Sequence, residues 1–330
     1  MGSRKGTPKM TPFVRLIAVL ALAATGSALA QSYPNRPVKV IVPWPPGQAT
    51  DVAARAVAEK LSTALGQQFV IDNRAGAGGT MGTEVAAKST PDGYTILAGS
   101  SGPISISPNV QKVGYDPDRD LDPIALMATS PYVLVVHPTL PANSVAEFIA
   151  LLRASPGKYT FASSGTGATS HLISELFNSS LKIVATHVPY KGSAQALTDV
   201  IAGHVTYTFE TSAAVLGHVK AGRLKALGVS SASRALSLPE LPTVAEAANI
   251  PGFDLRAWIG LVAPAGIPRD ARARLVAESH RILDTAEMKE RLLGLGLEPG
   301  ALTAEQFAEF VKTQNARFGA IARQADIKVQ

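Results

Sequence analysis

VKVIVPWPPGQATDVAARAVAEKLSTALG, residues 38–66, decides the fold. Val38–Val42 is a β-branched run of strand length, and Pro43–Thr50 is a loop rich in Pro and Gly. From Asp51 to Leu65 the apolar positions Val52, Ala53, Ala56, Val57 and Leu61 keep helical spacing, and Gly66 stands where a C-cap belongs. A strand, a small-residue loop and an amphipathic helix make the repeating unit of α/β architecture.

The unit recurs along the chain. Strands are expected at Phe69–Asp72, Tyr94–Ala98, Tyr132–Val136, Tyr159–Ala162, Val184–Val188, Thr206–Phe209, Leu224–Val229 and Leu255–Val262. Helices are expected near 83–88, over Ser144–Ala154 with Ser144 as N-cap, to about Phe177, near 194–202 and 213–221, and over 271–286, 288–294 and 304–325. No fixed-period repeat and no low-complexity linker divides the chain. A length of 330 residues fits two lobes of ordinary domain size. Without a linker, the chain is expected to cross between lobes more than once, near Ser130-Pro131 and Phe253-Asp254. The expected division is residues 31–130 plus 255–330 for one lobe and 131–254 for the other. Each lobe is expected to be a mixed, mostly parallel sheet flanked by helices.

Residues 1–30 differ in kind. Arg4, Lys5, Lys9 and Arg15 precede an apolar run, Leu16–Ala24, and Ala28-Leu29-Ala30 gives an A-x-A cleavage pattern. The run falls short of the roughly 20 apolar residues a membrane span needs. A secretory signal cleaved after about Ala30 is expected, an uncleaved anchor being the alternative. The whole chain carries 31 basic and 25 acidic residues; the signal holds four of the bases, which leaves 27 against 25. That balance, without a basic stripe, argues against nucleic acid. Cysteine is absent, which removes thiol nucleophiles, thiolate zinc sites and iron–sulfur clusters. An exported protein of this size without disulfides suits a bacterial periplasm.

Three loops share one design, with small residues and glycine where a strand gives way to a helix: PWPPGQATD at 43–51, GSSG at 99–102 and SSGTGAT at 163–169. Such a turn exposes the first N–H groups of the helix at the positive end of its dipole, an anion site that needs no Lys or Arg. In open α/β sheets these loops gather at the carboxyl ends of the strands, where ligands bind. At Asp51 a capping role is favoured over ligand contact.

Further stretches carry a family resemblance. YPNRPVKVIVPWPPGQATDVAAR (33–55), NRAGAGGTMGTEVAAKSTPDGYTIL (73–97), HVPYKGSAQALTDVIAGHV (187–205), KAGRLKALGVSS (220–231), LPTVAEA (241–247) and APAGIP (263–268) run in one order across nearly the whole mature chain. Together they resemble the Bug-type receptors, the solute-binding components of tripartite tricarboxylate transporters. The resemblance implies a two-lobed, type II-like periplasmic binding protein, a monomer without cofactor or metal, which hands a small organic carboxylate to membrane permease subunits. Two facing loops would hold the carboxylate, largely through backbone N–H groups: Pro46, Gly47, Gln48, Ala49 and Thr50 on one lobe, and Ser163, Ser164, Gly165, Thr166, Gly167, Ala168 and Thr169 on the other. Ser100, Ser101 and the turn Tyr190, Lys191, Gly192 would line the sides, and His171 could face the pocket. Two positions depart from the family pattern. Gln48 stands where PGGGTD would have glycine, and Glu210 where Asp is more usual; both are expected to shape the distal end of the pocket. A carboxylate there repels a second acid group and favours a cationic or hydrogen-donating one.

Catalytic signatures are missing. The histidines at 137, 171, 187, 204, 218 and 280 show no metal-ligand spacing, and neither a G-x-S-x-G elbow nor a P-loop occurs. GTGATS at 165–170 approaches G-x-G-x-x-G but ends in Ser. Trp44 and Trp258 read as packing residues. The rival readings are an exported enzyme using Ser163 or Ser164 with His171, and a ligand sensor for a signalling partner.

Overall fold

The computed structural model describes Gly2 and residues 33–324. The expected export signal falls, Gly2 apart, outside the described residues. In chain order the elements begin β1 (Val38–Val42), α1 (Ala49–Leu65), β2 (Phe69–Asn73), α2 (Thr80–Ala87) and β3 (Thr95–Ser100). A π-helical turn, Gly102–Ile106, leads to α3 (Ser107–Val110), α4 (Pro117–Asp120) and the long β4 (Leu121–Val136). Then follow α5 (Val145–Ala154), β5 (Thr160–Ser163), α6 (Thr169–Leu181), β6 (Thr186–Pro189), α7 (Ser193–Ile201), β7 (Tyr207–Thr211), α8 (Ser212–Lys220) and β8 (Lys225–Val229). The chain ends with α9 (Val244–Ala248), β9 (Arg256–Pro264), α10 (Arg269–Leu283), α11 (Ala286–Gly294), β10 (Glu298–Pro299) and α12 (Ala304–Gln324).

Local chemistry sets these limits where it was read from sequence. Gly66 ends α1 in the left-handed region at φ 68°, its N–H bonded to the Ser62 carbonyl. The Ser144 hydroxyl caps α5 by accepting from the Glu147 N–H. The first eleven residues of β4 were not expected as strand. Pro123 and Pro131 interrupt the pattern there, and Pro123 sits where the β4–β9 register shifts.

The ten strands join in the order β2-β1-β3-β9-β4-β7-β5-β6, with β8 and β10 each paired to β4. β1 runs parallel to β2 and β3, and β5 parallel to β6 and β7. The parallel pairing expected from sequence holds in these two outer groups. Between them β9 is antiparallel to β3 and β4, and β4 to β7 and β8. A chain that crosses from one group to the other and later returns must reverse direction, hence the antiparallel centre.

β4 changes partners in mid-strand. It pairs with β9 as far as Pro131 opposite Arg256, then with β7 from Tyr132 opposite Thr211. Ser230 joins this crossing to the return one: it exchanges backbone and side-chain bonds with Tyr132, and its carbonyl accepts from the Leu255 N–H. Apolar clusters flank each group, one holding Val40, Ala53, Val57, Ile96 and Leu275, another Leu134, Phe148, Phe177, Tyr207 and Phe209. Helix α12 touches both halves, with Phe307 and Val311 packed beside Leu97 and Trp258, and Phe318 and Ala322 in the cluster of Phe148. Each large side chain fully buried in this way contributes about 2 kcal/mol of apolar transfer.

Candidate functional site

Where β4 and β9 cross, the starts of two long helices line one enclosed cavity. Gln48, Ala49 and Thr50 at the start of α1 and Thr169 at the start of α6 share its wall with Trp44, Ser100, Ser101, Gly102, Tyr132, Ser164, Ser193, Glu210, Thr211 and Ala257. Its volume is about 30 Å³, the share of roughly one water molecule. A second recess of about 290 Å³ adjoins it through Trp44 and Ser164. Gly76–Gly79, Gln111, Gly165, Thr166, Pro189, Tyr190 and Lys191 line that recess.

Neither helix start is capped by its own N-cap side chain: Gln48 precedes α1 and Ala168 precedes α6, each extended, and neither side chain bonds to the first turn. Their leading N–H groups lack intrahelical partners, and each dipole places roughly half a positive charge at the cavity. Asp51 lies in the first turn of α1 and is not the N-cap, which is Gln48. It reaches back to the Gly47 N–H and also takes bonds from Arg55 and Asn73. Burial opposes the charge on Asp51, and these donors outweigh it, so its carboxyl stays below the usual range. The GSSG loop departs from expectation, leading into a single π-helical turn of five residues and no long helix. Ser100 and Ser101 still face the cavity. Ser100 accepts from the Trp44 indole at 2.9 Å, and Ser101 pairs with Thr169 at 3.0 Å across the cleft.

The two walls are closed on each other. A Cβ on Gly192 would stand 2.9 Å from Pro45 and 3.0 Å from the Gln48 amide nitrogen; one on Gly78 would stand 2.9 Å from the Thr166 carbonyl. Both glycines have positive φ, 151° and 64°. Absence of side chains at these positions lets the loops meet.

Glu210 is the charged centre. It is 1% exposed, near the end of β7, and its Oε2 accepts from the Ser193 hydroxyl at 2.7 Å. Its other oxygen, Oε1, has no partner, and neither has the buried Nε2 of Gln48. Burial raises the Glu210 carboxyl from an ordinary 4.5 to about 7, against the lowering effect of hydrogen bonds from Ser193, the Thr211 N–H and Ser164.

Among the residues singled out from sequence, Gln48, Ala49, Thr50, Ser100, Ser101, Ser164, Thr169 and Glu210 meet at the enclosed cavity, and Gly165, Thr166, Tyr190 and Lys191 at the outer recess. Pro46 and Gly47 are exposed and line neither. Ser163 and Ala168 stand behind the turns, while Gly167 and Gly192 face the opposite wall, beside Gln111 and Ser107 and beside Pro45 and Gln48 respectively. His171 is also behind the wall, where its ring stacks on His187 at 4.0 Å and its Nδ1 accepts from the Gly167 N–H, bracing the turn. Ser163 pairs with His187 at 2.7 Å, yet neither lines the cavity, so the Ser–His contact has no access to a solute there. Burial, with the charge of His171 beside it, lowers His187 to about 3, a neutral ring at pH 7. Sequence reasoning missed Tyr132, Ser193, Thr211 and Ala257. Ser193 and Thr211 follow the pattern of the other turns, a strand passing through a small residue into a helix, and that signal would have found them. Among the described residues no cluster of His, Asp or Glu is fit to hold a metal ion.

Two sheet halves joined by crossing strands, with helix starts converging on a buried polar cavity between them, define a two-lobed solute-binding protein. Comparison with known proteins narrows the class. The profile of the tripartite tricarboxylate transporter family receptor matches residues 53–327. The chain is 36% identical over 323 residues to the protein BugT of Bordetella pertussis, covering 96% of this chain and 99% of that one. An R. palustris protein solved with adipate superposes with a TM-score of 0.86 at 35% identity, over 90% of this chain and 99% of the other. MatC from Rhodopseudomonas palustris, solved with bound malate, gives 0.82 at 31% identity, over 88% and 99%. The chain belongs to the tripartite tricarboxylate transporter receptor family, a family of periplasmic solute-binding receptors.

Proposed function

We propose that this protein captures a small carboxylate-bearing solute between lobes formed by residues 31–130 plus 255–330 and by 131–254, and delivers it to the permease subunits of a tripartite tricarboxylate-type transporter. One observation carries the reading: two uncapped helix starts from opposite halves of the sheet line a single buried cavity. Donors so placed hold an anion without a Lys or Arg. The adipate and malate of the two R. palustris proteins support a carboxylate as the solute class.

In this reading the closed cleft is one end of a hinge motion about Pro131-Tyr132 and the 230–255 return. A space of about 30 Å³ admits no organic acid, so the walls part, the solute docks on one set of turns, and closure adds the second set. A solute of about ten heavy atoms then binds in the micromolar range, near −8 kcal/mol. The chain turns nothing over in this role. Export would remove the signal after about Ala30, which amino-terminal sequencing of the periplasmic protein reads directly. Thermal-shift screening of a carboxylate library is the main test. Saturable stabilisation by an acid that is recovered unchanged is expected; chemical conversion of the acid would replace the receptor with an enzyme.

A further inference from the structure

Two buried groups of opposite character line the enclosed cavity without a partner: the donor Gln48 Nε2, on one wall, and the acceptor Glu210 Oε1, on the other. Both residues are more than nine-tenths buried. Unpaired polar atoms so placed are rare, because each forfeits its hydration for nothing. We propose that the captured solute carries a protonated amine beside its carboxylate, the amine donating to Glu210 Oε1 and the carboxylate accepting from the Gln48 amide and the two helix starts. The inference rests on the receptor reading above and names its solute class.

Charge balance selects the amine over a plain acid. Two helix starts supply roughly half a positive charge each. Ionised Glu210 and one solute carboxylate supply two negative charges. No Lys, Arg or His lines the enclosed cavity; Lys191 lines only the outer recess, and Tyr132 and Tyr190 are the other titratable groups in the two walls. One positive charge is therefore missing, and it is missing beside Glu210. A hydroxyl would fill the hydrogen bond and leave the charge unmatched. A proton on Glu210 would also balance the sum, but at pH 8 a carboxyl raised to about 7 is mostly ionised, with Oε2 held by the Ser193 hydroxyl at 2.7 Å and Oε1 left bare. Its bare oxygen asks for a donor from the solute. Buried charges left unpaired are costly, which is why the partner must be ionic.

Calorimetric titration of the purified protein at pH 8 with matched acids tests the proposal: succinate against aspartate, glutarate against glutamate, butyrate against 4-aminobutyrate, benzoate against 4-(aminomethyl)benzoate. At least one aminated member is expected to bind about tenfold or more tightly than its partner, since sites built around a buried polar group reject analogues that leave it unpaired. Glu210→Gln should collapse that ratio to within about threefold. Titration in two buffers of different ionisation enthalpy gives the proton count, expected as release or none for the aminated acid. This count and the ratio are read on the unaltered protein, so they stand even if the variant misfolds. Tighter binding of an unaminated acid with uptake of close to one proton overturns the amine and leaves the receptor intact. Silence from all eight acids overturns both.

Discussion

The wall built from residues 44–50 and 100–102 presents only neutral donors and hydroxyls, whereas the facing wall, Ser164, Ser193, Glu210 and Thr211, is organised around a buried carboxyl. The first rests on β1 and β3 and the second on β5, β6 and β7, so the two sets of turns come from equivalent places in the two sheet halves. Yet one wall holds charge and the other does not. Similar architecture supplies the anion sites twice over. The asymmetry between the walls comes from single side chains, Gln48 on the neutral wall and Glu210 on the acidic one, and in the proposed reading these choose the solute. General capture and particular choice are thus separable.

Three experiments break the comparison at different depths. The largest effect belongs to Glu210→Gln, which removes the charge and keeps the shape. In the empty protein the carboxyl titrates near 7 against an ordinary 4.5, so the folded state binds its proton more tightly than the unfolded one. The contribution of Glu210 to stability is therefore fully present below about pH 4.5, falls as pH rises toward 7 and is lost above it, a change on the order of 3 kcal/mol. Urea unfolding at pH 8 should show Glu210→Gln more stable than the parent by up to that amount, and indistinguishable from it at pH 4.5. An equal gap at both pH values would mean that the carboxyl is solvated and the wall is not charged in the sense argued.

Next comes Gly192→Ala, where the two walls touch. The new methyl meets Pro45 at 2.9 Å and Gln48 at 3.0 Å in a backbone that side chains rarely adopt. Overpacking of this kind costs about 2 kcal/mol, or roughly thirtyfold in affinity. The loss should appear in titration with whichever acid stabilises the parent, and small-angle scattering should show a protein that stays expanded when that acid is present. Unchanged affinity would show that the closed contact plays no part in capture.

The difference between the walls also marks what could be read from sequence. β1, α1 and Gly66 were legible because strand period, helix period and a left-handed cap are all local signals. The meeting of Ala49 and Thr50 with Thr169 followed from loop design, as each loop has the same chemistry at the end of a strand. What escaped was nonlocal. The first half of β4 carries two prolines, and a strand held by β9 on one side tolerates them where local propensity argues against it. Tyr132 and Ala257 enter the cavity only because β4 and β9 cross beneath it, which no spacing announces. That His171, which could have faced the pocket, lines neither space has a related reason. Its neighbour His187 arrives from β6, and the two rings stack on each other behind the cavity wall. The pairing of unpartnered Gln48 and Glu210 atoms required a view of both walls at once.

The smallest expected effect probes a direct side-chain bond between the walls, Ser101 to Thr169 at 3.0 Å. It joins a hydroxyl after β3 to a hydroxyl at the start of α6, with both residues buried in the closed cleft. Such a neutral bond contributes about 1 kcal/mol net. In a double-mutant cycle of Ser101→Ala and Thr169→Val, solute affinity should show a coupling of about 0.5–1 kcal/mol. Each single change should weaken binding by less than about tenfold, because the backbone donors of both helix starts remain. A coupling of zero would mean that the walls close without feeling each other through this pair. The contacts of Gly192 and Gly78 would then be left to hold the cleft shut.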